Sequence, residues 1–105
     1  MAILIKINGV AWNVFFVDKT HKQLTDDNGV QDAYGITYGR ECEIYIDEGL
    51  PKDHMRQIIT HELIHAFAFA YRESIECESE EKVCDFIASH FDELKRLRKE
   101  LLKAE

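Results

Sequence analysis

The chain has 105 residues, with 13 Lys and Arg against 20 Asp and Glu, a formal net charge of −7. That length suits one domain over 1–105 with a modest core, and the 46% hydrophobic and 31% charged fractions read as globular and not disordered. The acidic balance argues against nucleic acid, which needs a basic face, and against anionic membrane surfaces.

In chain order, residues 2–7 and 11–17 are rich in Ile, Val, Phe and Trp and flank Asn8-Gly9. Asn-Gly between apolar runs predicts an antiparallel hairpin. Lys6 interrupts the first run, which has no basic lead or cleavage site, so no signal peptide is expected. Residues 18–35 are polar and read as loop and turn. A third strand is expected at Glu41–Asp47, where Cys42, Ile44 and Ile46 alternate with polar neighbours, with 36–40 as its extension. Pro51 suits the first turn of a helix running from Lys52 to about Tyr71, whose second half is apolar nearly all round and therefore reads as buried. Ser79 reads as the N-cap of a last helix over about 80–102, with Glu80 and Glu81 in its first turn. Val83, Phe86, Ile87, His90, Leu94 and Leu97 form its inward stripe. The basic run Lys95–Lys99 complements the helix dipole near the C-terminus. The fold class expected is α+β: about three strands in a small antiparallel or mixed sheet, packed on two helices. Trp12 and the clusters Phe15-Phe16 and Phe67-Phe69 are expected in the core. No apolar run approaches the roughly 18–20 residues that span a bilayer. Cys42, Cys77 and Cys84 are odd in number and match no metal knuckle, so reduced thiols and a cytoplasmic location are expected.

His61-Glu62-Leu63-Ile64-His65 lies inside the first helix. Residues four apart share a helix face, so His61 and His65 can reach one tetrahedral ion. Glu62, about 100° round the helix, can meet a water at that ion without being a ligand. The pattern therefore predicts a Zn2+ site, with His61 and His65 as ligands and Glu62 as general base. Two histidines and an open position suit zinc best once a carboxylate is added. His54 shares the stripe but stands about 10 Å further along the axis. Glu80 and Glu81 follow His65 at a distance that lets the chain turn and fold back. Periodicity places Glu80 on the inward stripe. Asp85, Cys84 and Cys77 are weaker candidates.

Four pieces of sequence together resemble the minimal zincin-like proteins of the ImmA/IrrE type, often encoded by phages and prophages. They are Tyr34-Gly35-Ile36-Thr37, Ile44-Tyr45-Ile46-Asp47, His61-Glu62-Leu63-Ile64-His65-Ala66 and Ser79-Glu80-Glu81-Lys82-Val83. They fall in order over residues 34–94. The His-Glu-x-x-His piece is specific for zincins in general, whereas the others are weak alone. The resemblance implies a small sheet on the metal helix and a downstream acidic ligand, as in gluzincins, and it points to Glu81 where periodicity points to Glu80. Larger members carry a DNA-binding domain and cut regulators. That domain is missing from these residues, and the role does not transfer.

The activity this implies is zinc-dependent hydrolysis of a peptide or protein substrate, host or phage proteins being the candidate class. The strand at 41–47 is expected to receive an extended substrate by strand addition. Tyr34, Tyr38 and His90 are candidate oxyanion helpers, each with a plain packing role as the competing reading. The alternative is a non-catalytic zinc-binding phage accessory protein that keeps the fold to bind a partner.

Overall fold

Asn8 and Gly9 both adopt positive φ, 51° and 78°. This is the backbone a two-residue type I′ turn requires, and it closes a hairpin in which Ile7 faces Val10. The computed structural model describes residues 2–73 and 79–104. The hairpin strands are β1 (Ala2–Ile7) and β2 (Val10–Val17).

The third strand differs from its expectation. Residues 36–40 do not extend it. Instead Gly35–Tyr38 form a strand of their own, β3, antiparallel to β4 (Glu43–Asp47). The chain reverses between them, with the Cys42 N–H donating to the Gly39 carbonyl at 3.1 Å and Cys42 held at φ 55°. Alternation marks residues as strand but does not say where a strand turns back, and this turn carries no Asn-Gly. The sheet thus has four strands in the order β1-β2-β4-β3, with β2 and β4 parallel. β4 lies inside the sheet, so the edge strands are β1 and β3.

One face carries Ile5, Ile7, Trp12, Val14, Phe16, Ile44 and Ile46, all buried. Against it pack α1 (Lys52–Ala70) and α2 (Glu80–Ala104). They contribute Met55, Ile59, Leu63, Ala66 and Phe67 from α1, and Phe86, Leu94, Leu97 and Leu101 from α2. The fold is therefore a small α+β arrangement. On the opposite face Phe15 stacks on Tyr45 at 4.9 Å, and a 3-10 turn at Lys22–Leu24 inserts fully buried Leu24. Phe15 is thus half-buried outside the main core, because adjacent strand residues point to opposite faces. Buried Asp47 accepts bonds from Gln31 Nε2 (2.7 Å) and the Gly49 N–H (2.8 Å), which satisfies its carboxylate.

Pro51 stands at the N-cap position, one residue before α1 and not in its first turn, and its carbonyl accepts the Met55 N–H at 2.7 Å without a side-chain cap. At the other end the Glu73 N–H bonds to the Ala68 carbonyl and the Arg72 N–H to that of Phe69, with Arg72 at φ 57°. This is a Schellman cap with arginine at the left-handed position that usually holds glycine. Ser79 Oγ accepts the Lys82 N–H at 3.3 Å and caps α2 as the sequence suggests. The helices run antiparallel, for Thr60 meets Arg98 while Tyr71 meets Glu93. Among the described residues no helix is long and apolar enough to cross a membrane.

Candidate metal centre

Helical spacing puts His61, His65 and Phe69 on one face of α1, and all three are exposed. This corrects the reading of the helix's second half as buried all round. Its inward side, with Leu63, Ala66 and Phe67, meets the core, and this stripe instead faces solvent, where a ligand can reach it. Phe69 is therefore not a core residue. It is 53% exposed, meets Trp12 edge-on at 6.2 Å, and lies so close to Gly39 that a Cβ there would run into its ring. Trp12 itself is buried, as expected.

The imidazoles converge. His65 Nε2 lies 3.2 Å from His61 Nε2. Two nitrogens bound at about 2.0–2.1 Å to one tetrahedral ion stand about 3.3 Å apart, so the pair fits a zinc-sized ion. The carboxylate of Glu62 is buried, only 5% of the residue being exposed. Its Oε2 lies 3.9 Å from His61 Nε2. Its Oε1 accepts the Thr37 hydroxyl at 2.8 Å, and the same hydroxyl lies 3.2 Å from the Glu62 backbone carbonyl. Gly35, two residues earlier on the same side of β3, leaves room for the carboxylate. A Cβ there would come within 2.9 Å of Glu62 Cγ.

These groups open into a cleft of about 950 Å³. Its walls are β3 and the exposed stripe of α1, with Val10 on one rim and Arg72 and Glu73 on another. No family model, curated protein or solved structure matches the chain.

The other predicted site residues lie elsewhere. Glu80 and Glu81 occupy the first turn of α2, both exposed, and neither lines the cleft. Glu80 is thus not on the inward side that periodicity suggested. Among the described residues no group of three His, Cys, Asp or Glu side chains is assembled to hold a metal ion. Cys84 and Asp85 are exposed on α2 and also miss the cleft, and Cys77 lies outside the described residues. His54 sits within α1, its ring against Tyr34 at 4.8 Å. Of the candidate oxyanion helpers, Tyr38 donates to Gln23 Oε1 at 2.6 Å, and His90 packs among Phe67, Tyr71 and Phe86. Neither these two nor Tyr34 lines the cleft.

Three cleft residues escaped the sequence reading. Gly35 and Thr37 lay within the recognised Tyr-Gly-Ile-Thr piece, but nothing in its pattern says that the strand leans on Glu62. Glu73 reaches the rim because the left-handed cap at Arg72 turns the chain back, and an arginine carries no signal for such a turn.

Proposed function

We propose that this chain is a zinc-dependent peptide hydrolase of the minimal zincin-like, ImmA/IrrE type, acting in the cytoplasm. The observation that carries the reading is the convergence of the His61 and His65 ring nitrogens at 3.2 Å beside a buried, hydrogen-bonded Glu62.

His61 and His65 would hold the ion, with Glu81 as the third donor proposed from the resemblance alone, since it lies outside the cleft here, and the neighbouring Glu80 as the alternative. Zinc so held supplies Lewis-acid activation of water. Glu62 takes the proton from the attacking water and returns it to the leaving amine. Thr37 ties down Oε1 and leaves Oε2, the oxygen nearer His61, as the proton acceptor. An extended substrate adds to the free edge of β3, which borders the cleft, and not to β4, whose two edges are already paired. Its peptide or protein substrate, a host or phage protein in the resemblance, would thus pass directly over His61 and His65.

The test is cleavage of a peptide library by wild type and Glu62→Gln. The general base contributes about 100-fold or more, so Glu62→Gln should lose at least that much while the fold stays intact. Equal cleavage by the two proteins would reject Glu62 as the base.

The second reading, a non-catalytic interaction protein, draws on the apolar rim of the cleft. Val10 and Phe69, 48% and 53% exposed, could seat a partner without hydrolysis. In that case zinc is bound and nothing is cut.

A further inference from the structure

α1 and α2 meet in a second, smaller groove of about 340 Å³ lined by Lys52, Arg56, Lys95, Arg98, Lys99 and Lys103. Six of the chain's 13 Lys and Arg gather there, leaving seven against its 20 Asp and Glu. Helix-dipole complementarity accounts for cations at the end of α2. It does not account for Lys52 and Arg56, which begin α1, where the dipole disfavours positive charge. The antiparallel packing sets these two against the cations of α2, a like-charge convergence that weakens the fold. Among the described residues none of the six has a carboxylate partner, and Arg98 donates to the hydroxyl of Thr60 at 3.2 Å.

The groove is connected to the candidate metal centre. Arg56 and Arg98 also line an adjoining pocket together with Gln57, Thr60, Ile64, His61 and one acidic side chain, Asp53. His61 in turn borders the main cleft. One surface therefore runs from Lys52 to the imidazoles. Along α1, Arg56 and Lys52 precede His61 by about 7.5 and 13.5 Å at 1.5 Å per residue. Those rises alone match about two to four residues of extended chain at roughly 3.4 Å each, and the surface path is longer because Arg56 and Lys52 stand about 140° and 180° round α1 from His61.

We infer that this basic groove is a specificity subsite for acidic side chains, so that the substrate is a protein segment with Asp or Glu at least about two to four residues to one side of the bond cut. The inference rests on the hydrolase reading for the word substrate, and on the groove alone for the binding of an acidic segment. A short acidic peptide suits the site better than nucleic acid does. The peptide touches only the groove, whereas a long polyanion would also meet the acidic remainder of the surface.

The experiment has two arms. Fluorescein-labelled hexaglutamate is titrated into Glu62→Gln protein, then into the same protein carrying Arg56→Glu and Lys99→Glu. A charge-matched control carries Lys19→Glu and Lys22→Glu, which lie away from the groove. The groove pair should weaken binding by at least about tenfold and the control by little, with affinity falling as salt rises. Lys95→Glu, a single exposed change, should weaken it in the same direction. In the second arm, wild type cuts a peptide library. Asp and Glu should be enriched at those positions, and Arg56→Glu/Lys99→Glu should erase or invert the preference. No binding of the peptide, equal loss in the control, tighter binding of an oligothymidylate, or cleavage with no acidic preference would each overturn the inference. Dimerisation of the wild type lost in the groove variant would give the groove to a second copy and overturn it too. Undiminished cleavage by Glu62→Gln would instead count against the hydrolase reading and leave the binding arm to judge the groove.

Discussion

The hydroxyl of Thr37 on β3 donates to the carboxylate of Glu62 on α1 at 2.8 Å. An edge strand thus fixes the rotamer of the proposed general base, and a substrate pairing with that strand would be set in register with the base. Thr37→Val keeps the shape and removes the donor. It should lower stability by about 1–2 kcal/mol, since a bond to a buried charged group is lost, and cleavage by about 10-fold or more through misplacement of the base. Thr37→Ser should restore most of both. Urea unfolding and peptide cleavage on the same samples check this. A Thr37→Val protein as active as wild type would show that the hydroxyl does not position Glu62.

Gly35 is needed for space. A Cβ would lie 2.8 Å from Ile58 Cγ2 and 2.9 Å from Glu62 Cγ, so Gly35→Ala must push β3 away from α1. The expected cost is about 1–3 kcal/mol, typical of overpacking, together with loss of cleavage even in conditions where the variant is folded. Chemical denaturation measures the first effect and library cleavage the second.

Tyr71 joins the end of α1 to α2 by donating to Glu93 Oε1 at 2.6 Å. That bond, then burial, raises its phenol above the ordinary value of 10.0. The protonated phenol is the form the fold favours. Its contribution is therefore complete below pH 10 and is lost as pH rises through the raised folded value. Tyr71→Phe should cost about 0.5–1 kcal/mol near pH 8, at the low end because the pair is partly exposed. The gap between the two proteins should narrow above pH 10. Thermal melts at the two pH values test the sign, and a gap that widens with pH would refute it.

Arg72 holds a left-handed backbone at φ 57°. An L-residue is strained there by about 1–2 kcal/mol, part of which glycine would give back in unfolded-state entropy. Arg72→Gly should therefore stabilise the protein by up to about 1 kcal/mol, seen as a higher urea midpoint with an unchanged slope.

Much of this arrangement was legible in the sequence because it rests on local chemistry. Asn8-Gly9 specified its turn, the spacing of His61 and His65 specified a shared helix face, and Ser79 specified a cap. What was not legible depended on neighbours distant in the chain. The exposure of His61, His65 and Phe69 follows from which side of α1 meets the sheet, and a helix with apolar residues on every side does not announce that choice. β3 separated from β4 at a turn built on a left-handed Cys42, and Tyr-Gly-Ile-Thr gave no sign that Thr37 would reach Glu62 across 25 residues. The basic groove was half visible. Lys95–Lys99 stood out as a run, but Lys52 and Arg56 joined it only through antiparallel packing.

The proposed hydrolase depends on His61 and His65 holding one metal ion between them. Its most direct test is the zinc content of purified wild type, His61→Ala and His65→Ala by elemental mass spectrometry, after zinc loading and removal of unbound metal. Wild type should hold about one zinc per chain, and both variants should lose it while their circular dichroism is unchanged. Wild type that takes up no zinc, or variants that keep it, would rule out a metal centre on these two imidazoles.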